Sequence, residues 1–259
     1  MNPIVFNLGP IAIHWYGVLI AVAFGIGIIL ANSHAALRKI DTETLTNLLF
    51  IVIPAALIGA RLYYVLFNLA YYTANPYEIL AVWHGGLAIH GGIIGGFLAG
   101  YWYIRKEKNL NLWSAADVIA PSLILGQAIG RWGNFFNQEA HGGPVSYEFI
   151  SRFPHFIQQG MYIDGQYYHP TFLYESLWDS IVFFILFWLI RRKRLPDGVV
   201  VLIYFILYSV GRFLVEGLRT DSLMLGPFRI AQVVSIGVIF LSGIILYLKL
   251  RNFKLVSRD

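Results

Sequence analysis

Seven apolar stretches, each close to the length of a bilayer crossing, constrain what this chain can fold into. They lie near residues 15–35, 47–69, 87–104, 115–136, 172–190, 199–217 and 229–248. A crossing helix needs about 20 mostly apolar residues, because its backbone polar groups must be satisfied within the segment once water is gone. Of 259 residues, 58% are hydrophobic and only 13% charged, against about 25% charged in a soluble domain. The expectation is an all-α integral membrane protein in which residues 1–259 form a single domain of seven transmembrane helices. No linker, low-complexity tract or internal repeat interrupts it. The opening MNPIVFNLGP has no basic region, so no secretory signal peptide is expected there and the first span is expected to be its own insertion signal.

Charge is sorted along the chain. The net +5 would raise nucleic acid as a partner for a soluble protein, but this sorting is that of membrane topology, and no nucleic-acid partner is expected. Arg38 and Lys39, then Arg105, Lys106 and Lys108, then Arg191, Arg192, Lys193 and Arg194, then Lys249, Arg251, Lys254 and Arg258 all fall on one side of seven crossings. The positive-inside rule makes that side cytoplasmic, with the N-terminus outside and the C-terminus inside. These groups hold thirteen of the 19 basic residues, including all six lysines.

The other six are all arginine: Arg61, Arg131, Arg152, Arg212, Arg219 and Arg229, in or near the outer half. Arginine offers a planar fork that grips phosphate or carboxylate, whereas lysine is a point charge. The set reads as a site for an anionic group such as a phospholipid head. Arg152 and Arg229, in or beside loops, fit snorkelling or pairing with acids. Arg61, Arg131 and Arg212 sit inside otherwise apolar helix, where arginine costs ~2.5–3.5 kcal/mol on insertion scales and marks function by default.

Four constellations carry chemistry. In GRWGNF, 130–135, Arg131 and Asn134 share a helix face, and Asn137 and Glu139 follow as the helix ends. In WHGGLAIHGGIIGG, 83–96, a stripe of Gly92, Gly96 and Gly100, offset from Gly91 and Gly95, predicts a tightly packed central helix. His90 starts that helix, where the macrodipole disfavours a positive imidazole; it is either a proton acceptor or a structural histidine bonded to a loop. In GRFLVEGLR, 211–219, Arg212, Glu216 and Arg219 follow i, i+4, i+7 spacing, so Glu216 can hold both arginines on one helix face, with Tyr208 one turn before. A purely structural triad has the same spacing.

The fourth is the outer loop, about 137–171, which is long enough to be functional rather than a mere connection. Its Asp164-Gly165 pair reads as a type I′ hairpin turn, with His169, Tyr174 and Glu175 at the start of the next span. Ser114 and Asp117 have capping-box spacing at the cytoplasmic start of the fourth span. There are no cysteines, and the seven histidines show no ligand spacing, so neither a metal nor a cofactor is expected. A lipid or solute transporter would also use buried arginines, but it would be expected to show repeated halves with broken helices. A scaffold leaves three intramembrane arginines without a purpose.

In order, HWYG at 14–17, GARLYYVLF at 59–67, HGG at 90–92, GRWGNFFNQE at 130–139, HPTFLYE at 169–175 and GRFLVEGLR at 211–219 resemble the prolipoprotein diacylglyceryl transferases over nearly the whole chain. The GRxGNFxxxE element is that family's signature. Two departures are Phe172, where the family often has glutamine, and His84, where an acid is common. The resemblance implies an enzyme of the bacterial cytoplasmic (inner) membrane with its active site facing the extracytoplasmic side. It implies transfer of the diacylglyceryl group of phosphatidylglycerol to the lipobox cysteine thiol of a preprolipoprotein, giving a thioether and glycerol phosphate. The partners are those two substrates and the lipid bilayer.

For the site, the resemblance implies His90 as base for a thiol of pKa ~8.5, although an arginine-lined pocket also lowers such a pKa without a base. It implies phosphatidylglycerol binding by Arg131 and Asn134, with Arg61, Glu139 and Gly142. Arg212 would stabilise charge on the departing glycerol phosphate, Glu216 and Arg219 would orient it, and Tyr16 and Tyr208 would donate hydrogen bonds.

Overall fold

The computed structural model describes residues 1–9, 11–107, 110–192 and 195–256. Strands β1 (Ile4–Leu8) and β2 (Ile11–His14) form an antiparallel hairpin leading into α1 (Trp15–Ala35). Helices α2 (Thr42–Phe67), α3 (Leu69–Ala74), α4 (Ile89–Lys106) and α5 (Leu112–Asn137) follow. After α5 come β3 (Pro144–Val145), α6 (Tyr147–Ile150), α7 (His155–Gly160), β4 (Tyr162–Ile163) and β5 (Gln166–Tyr168). Then come α8 (Thr171–Leu189), α9 (Val199–Glu216), the short strands β6 (Met224–Leu225) and β7 (Phe228–Arg229), and α10 (Ile230–Val256). The chain forms two compact units, one of residues 1–37 and 116–259, the other of residues 38–115.

Each expected apolar stretch is a helix. Among the described residues, six helices are long and apolar enough to cross a membrane: α1, α2, α5, α8, α9 and α10. Helix α4 forms where expected, but five glycines and the terminal Arg105 and Lys106 keep it below that apolar content. Helix α2 begins earlier than its apolar stretch because Asp41 caps it, accepting from the Thr44 amide at 2.9 Å. Of the basic residues used to orient the chain, Lys108, Lys193, Arg194 and Arg258 lie outside the described residues.

In the 38–115 unit, α2 and α4 pack backbone to backbone. A Cβ on Gly91 would lie 2.2 Å from the Gly59 carbonyl oxygen, and one on Gly95 would lie 2.5 Å from that of Ala55. The glycine-rich helix is tightly packed as the sequence suggests, but the pair Gly91/Gly95 makes the closest approach. The Gly92, Gly96 and Gly100 stripe rests against the Ala56, Ala60 and Val52 side chains at looser distances.

In the other unit, α8 is fixed between α5 and α9. Ser176 Oγ donates to the Ala128 carbonyl at 2.9 Å and accepts from Trp132 Nε1 at 3.2 Å. Trp178 Nε1 donates to the Leu207 carbonyl at 2.8 Å, and its indole fills the space that a Cβ on Gly211 would take. Asp117 is fully buried, and its carboxylate accepts from the amides of Gly198 and Val201 at 2.8 and 2.9 Å. This corrects the capping-box reading. Helix α5 starts at Leu112 with Asn111 accepting from the Trp113 amide at 2.8 Å, so Asp117 is already a turn inside and caps α9 instead. Asp117→Ala leaves two buried amides unpaired, each worth about 1–3 kcal/mol. A markedly lower thermal midpoint in detergent is the expected result, read by tryptophan fluorescence.

The segment between α5 and α8 has a core of its own. Phe135, Ile150, Ile157, Met161 and Phe172 are buried together, with Phe172 4.5 Å from Phe135 and 5.2 Å from Trp132 between ring centroids. An aromatic ring at position 172 therefore completes an apolar cluster. Strands β4 and β5 pair across Asp164 and Gly165, both at positive φ (47° and 84°), which gives the expected type I′ turn.

Candidate active site

The ends of three helices converge on one carboxylate. Glu175, in the first turns of α8, is 6% exposed. Its Oε2 lies 2.7 Å from Arg131 Nη2 on α5, and its Oε1 lies 3.6 Å from both Arg212 Nη1 and Arg219 Nη1. Arg212 is held on its other side by Glu216, one turn along α9, at 2.7 Å. Arg219 is gripped by Asp221 through Nε at 2.9 Å and Nη2 at 2.6 Å. Arg131 Nε and Arg212 Nη1 are buried, and among the described residues neither donates a hydrogen bond. These are open donors beside a carboxylate with only two oxygens.

The spacing rule placed Arg219 on the helix face of Arg212 and Glu216, and this is corrected. Helix α9 ends at Glu216, and Arg219 belongs to the following turn. Glu216 therefore makes its ion pair with Arg212, while Arg219 turns to Asp221 and Glu175. What aims Arg219 is Gly142, whose backbone forms an antiparallel bridge with it. The Gly142 amide donates to the His169 carbonyl and the Gly143 amide to the Leu218 carbonyl, both at 3.1 Å. A Cβ on Gly142 would stand 2.6 Å from His169 Cβ and 3.0 Å from the Leu218 oxygen. Gly142→Ala is expected to lower activity at least tenfold by displacing Arg219, while the helical circular dichroism stays unchanged.

Asn134 and Glu139 form a separate knot at the end of α5. Asn134 Nδ2 donates to Glu139 Oε1 at 2.9 Å, the Glu139 amide returns to the Asn134 carbonyl at 3.0 Å, and Asn137 adds a weaker bond at 3.3 Å. Gln138 and Ala140 take positive φ there, which turns the chain out of the helix. Tyr16 packs on Gly133, where an added Cβ would lie 2.3 Å from its ring. Tyr208 stacks on Tyr204 and lies within electrostatic reach of Arg131. Arg229 is spent on structure, though on backbone rather than on the acids expected of it: its Nη1 donates to the carbonyls of Glu216 and Arg219 and to Ser222 Oγ.

Two expected site residues belong to the 38–115 unit. His90 is exposed in the first turn of α4, its ring 6.0 Å from that of Tyr63. Among the described residues it bonds to no loop, as the structural reading of it would require. Arg61 is 5% exposed, and all five of its N–H groups face carbonyl oxygens. Nε donates to Ile79, Nη1 to Gly85 and Gly86, and Nη2 to Glu78 and Ala81. The Tyr72 ring covers it at 5.1 Å. The reading of Arg61 as a phosphate ligand is therefore replaced: with its donors spent on the backbone, it organises the segment 78–86. Glu78 and His84 pair at 2.9 Å beside it, which occupies the histidine that departs from an acid.

Glu175 is the residue that sequence reasoning placed at the start of its span but gave no role in the site. It and Asp179, also buried, are acids one turn apart inside an apolar helix, a placement that marks function as strongly as buried arginine does. Among the described residues no group of three or more His, Cys, Asp or Glu side chains is arranged to hold a metal ion.

Residues 3–248 match the family model described as prolipoprotein diacylglyceryl transferase. The chain belongs to the prolipoprotein diacylglyceryl transferase family. Among its relatives, phosphatidylglycerol–prolipoprotein diacylglyceryl transferase of Clostridium novyi (strain NT) is 55% identical over 249 residues, covering 96% of each chain. Proteins of the same name are 52% identical in Clostridium botulinum (strain 657 / Type Ba4), covering 97% of this chain and 100% of the relative, and 49% identical in Staphylococcus aureus (strain MSSA476), covering 97% and 90%. All the transferase-like motifs, from HWYG to GRFLVEGLR, fall inside the matched residues.

Outside the spans, His169 and Asp221 are among the groups that give this transferase-family chain a pH dependence. Burial lowers the pKa of His169, whose Nδ1 is 3.3 Å from the Tyr174 hydroxyl. Hydrogen bonding by Arg219 holds the Asp221 carboxyl below its ordinary range. Both folded-state values are lowered, so each contribution is complete above the unfolded pKa and is lost as pH falls through the folded one. For His169 that loss begins below about pH 6.5, and for Asp221 below about pH 4. The protection of residues 162–171 against hydrogen exchange, corrected for the intrinsic rate at each pH, is expected to fall as the pH drops through the histidine range, and to stay constant in His169→Gln.

Proposed function

We infer that the chain moves the diacylglyceryl group of phosphatidylglycerol onto the lipobox cysteine of a preprolipoprotein, the first step of lipoprotein maturation. Membership of the transferase family carries the reaction type, and the arginine cluster around Glu175 is the observation that fits its chemistry. The donor's head group is a phosphodiester, and open guanidinium donors among membrane helices suit a phosphate. The chain is a multi-pass membrane protein. Its two units act as one domain over 1–259, with α4 as a seventh crossing, the N-terminus outside and the C-terminus cytoplasmic. The membrane is the bacterial cytoplasmic one, and the site faces its outer side, where the arginines and no lysines lie.

In the reaction the thiol loses its proton, sulfur attacks the glycerol carbon bearing the phosphate, the carbon–oxygen bond breaks, and glycerol phosphate leaves. Arg131 and Arg212 bind the phosphate and stabilise the charge that gathers on it as that bond breaks. Arg219 completes the cluster from the Gly142 bridge, and Glu216 keeps Arg212 in place. His90 is the residue proposed to take the thiol proton. Asn134 and Glu139 shape the head-group end, with Tyr16 and Tyr208 supplying hydroxyl donors.

Purified chain, phosphatidylglycerol and a lipobox peptide test this. Free glycerol phosphate and a peptide heavier by one diacylglyceryl group are expected, and a peptide with Ser for Cys stays unmodified. A folded protein that yields neither product contradicts the assignment.

A further inference from the structure

The reaction proposed above has an awkward charge balance, and the inference that follows rests on that reading. The donor phosphodiester carries one negative charge, whereas the phosphomonoester product carries about −1.5 to −2 near pH 7. An arginine cluster that binds the donor well therefore binds the product better. Something must weaken the grip after each turnover.

Three guanidiniums, Arg131, Arg212 and Arg219, face three carboxylates, but the carboxylates are not equivalent. Glu216 is committed to Arg212 at 2.7 Å and Asp221 to Arg219 at 2.6 Å. Among the described residues, Glu175 alone lies within 4 Å of all three arginines, and it is the carboxylate that Arg131 pairs with. It sits at the centre of the cluster, 6% exposed, where a bound phosphate would have to be. The fit is also loose in one respect: two of its contacts are 3.6 Å, and Arg131 Nε and Arg212 Nη1 stay buried without a hydrogen bond. A carboxylate with two oxygens leaves these donors idle, and a phosphate with more oxygens can fill them.

We propose that Glu175 is an internal stand-in for phosphate: it holds the three arginines in register between turnovers, yields to the donor's phosphodiester, and returns to expel glycerol phosphate. Being tethered, it competes at high effective concentration without being consumed. It touches no reacting atom and is a positioning residue.

The test is Glu175→Gln, which keeps the shape and removes the charge. Binding of glycerol phosphate to the purified full chain in detergent, measured calorimetrically without peptide, is expected to tighten about tenfold or more. In the transfer assay the variant is expected to complete a first turnover at near wild-type amplitude, then slow, with a lower KM for phosphatidylglycerol and stronger inhibition by glycerol phosphate. A merely structural Glu175 predicts the loss of the first turnover together with the later ones. Unchanged or weaker glycerol phosphate binding in a folded Glu175→Gln protein overturns the proposal. If that variant does not fold, Glu175→Asp draws the carboxylate back by one methylene, and a smaller tightening is expected; no tightening overturns the idea equally. The transferase reading fails separately, through a wild-type chain that binds glycerol phosphate yet modifies no peptide.

Discussion

Arg131→Ala and Arg212→Ala are each expected to lower diacylglyceryl transfer by about 10²–10³-fold, the usual loss when one donor to a developing anion is removed. The two arginines approach Glu175 from different helices, α5 and α9, so neither can substitute for the other's direction. Lysine at either position restores the charge but not the fork, and recovery should be incomplete. The alanine variants also take the closest partner from a buried carboxylate, Glu175 in one case and Glu216 in the other. Removing one member of a buried pair costs about 3–5 kcal/mol, so lost activity alone is ambiguous. The double variant Arg131→Ala/Glu175→Gln resolves this. It is expected to recover thermal stability and to remain inactive. Recovery of activity along with stability would mean that Arg131 serves the fold and not the phosphate.

Arg61→Ala is the second large effect, and it is expected to act through the fold of the 38–115 unit. Five carbonyls lose their donor at once, from Glu78, Ile79, Ala81, Gly85 and Gly86. The segment 78–86 has little else to hold it: 3-10 turns at Pro76–Ile79 and Val82–His84, and a Glu78–His84 pair that is largely exposed. Limited proteolysis should cut this segment in the variant and spare it in the wild type, while helix content stays nearly constant. Donor KM measured on the intact fraction should change little, because Arg61 has no free donor to offer a phosphate. A raised KM with an intact segment would return Arg61 to the head-group site.

The helices were legible because bilayer crossing imposes a length and composition that few other segments meet, and among the described residues six of the seven stretches have both. Arg131 and Arg212 were legible for the converse reason, as costly residues in apolar helix. Relations that depend on where a helix stops were not. Arg219 was assigned by helical spacing to a helix that ends three residues earlier, and Asp117 to the cap of a helix it lies inside. Arg61 looked identical to Arg131 in sequence, yet its partners are backbone carbonyls, which every residue type provides and no motif records. Glu175 was visible as a residue but not as a hub, since the three arginines it gathers lie 44 positions before it and 37 and 44 after it in the chain.

The arginine cluster is expected to read the donor's phosphate. An experimental structure of the chain with bound phosphatidylglycerol, resolved well enough to place phosphorus, tests this most directly. The phosphate is expected within hydrogen-bond distance of both Arg131 and Arg212, with the Glu175 carboxylate displaced from Arg131. A donor phosphate bound away from these arginines, with the Arg131–Glu175 pair intact, would contradict it.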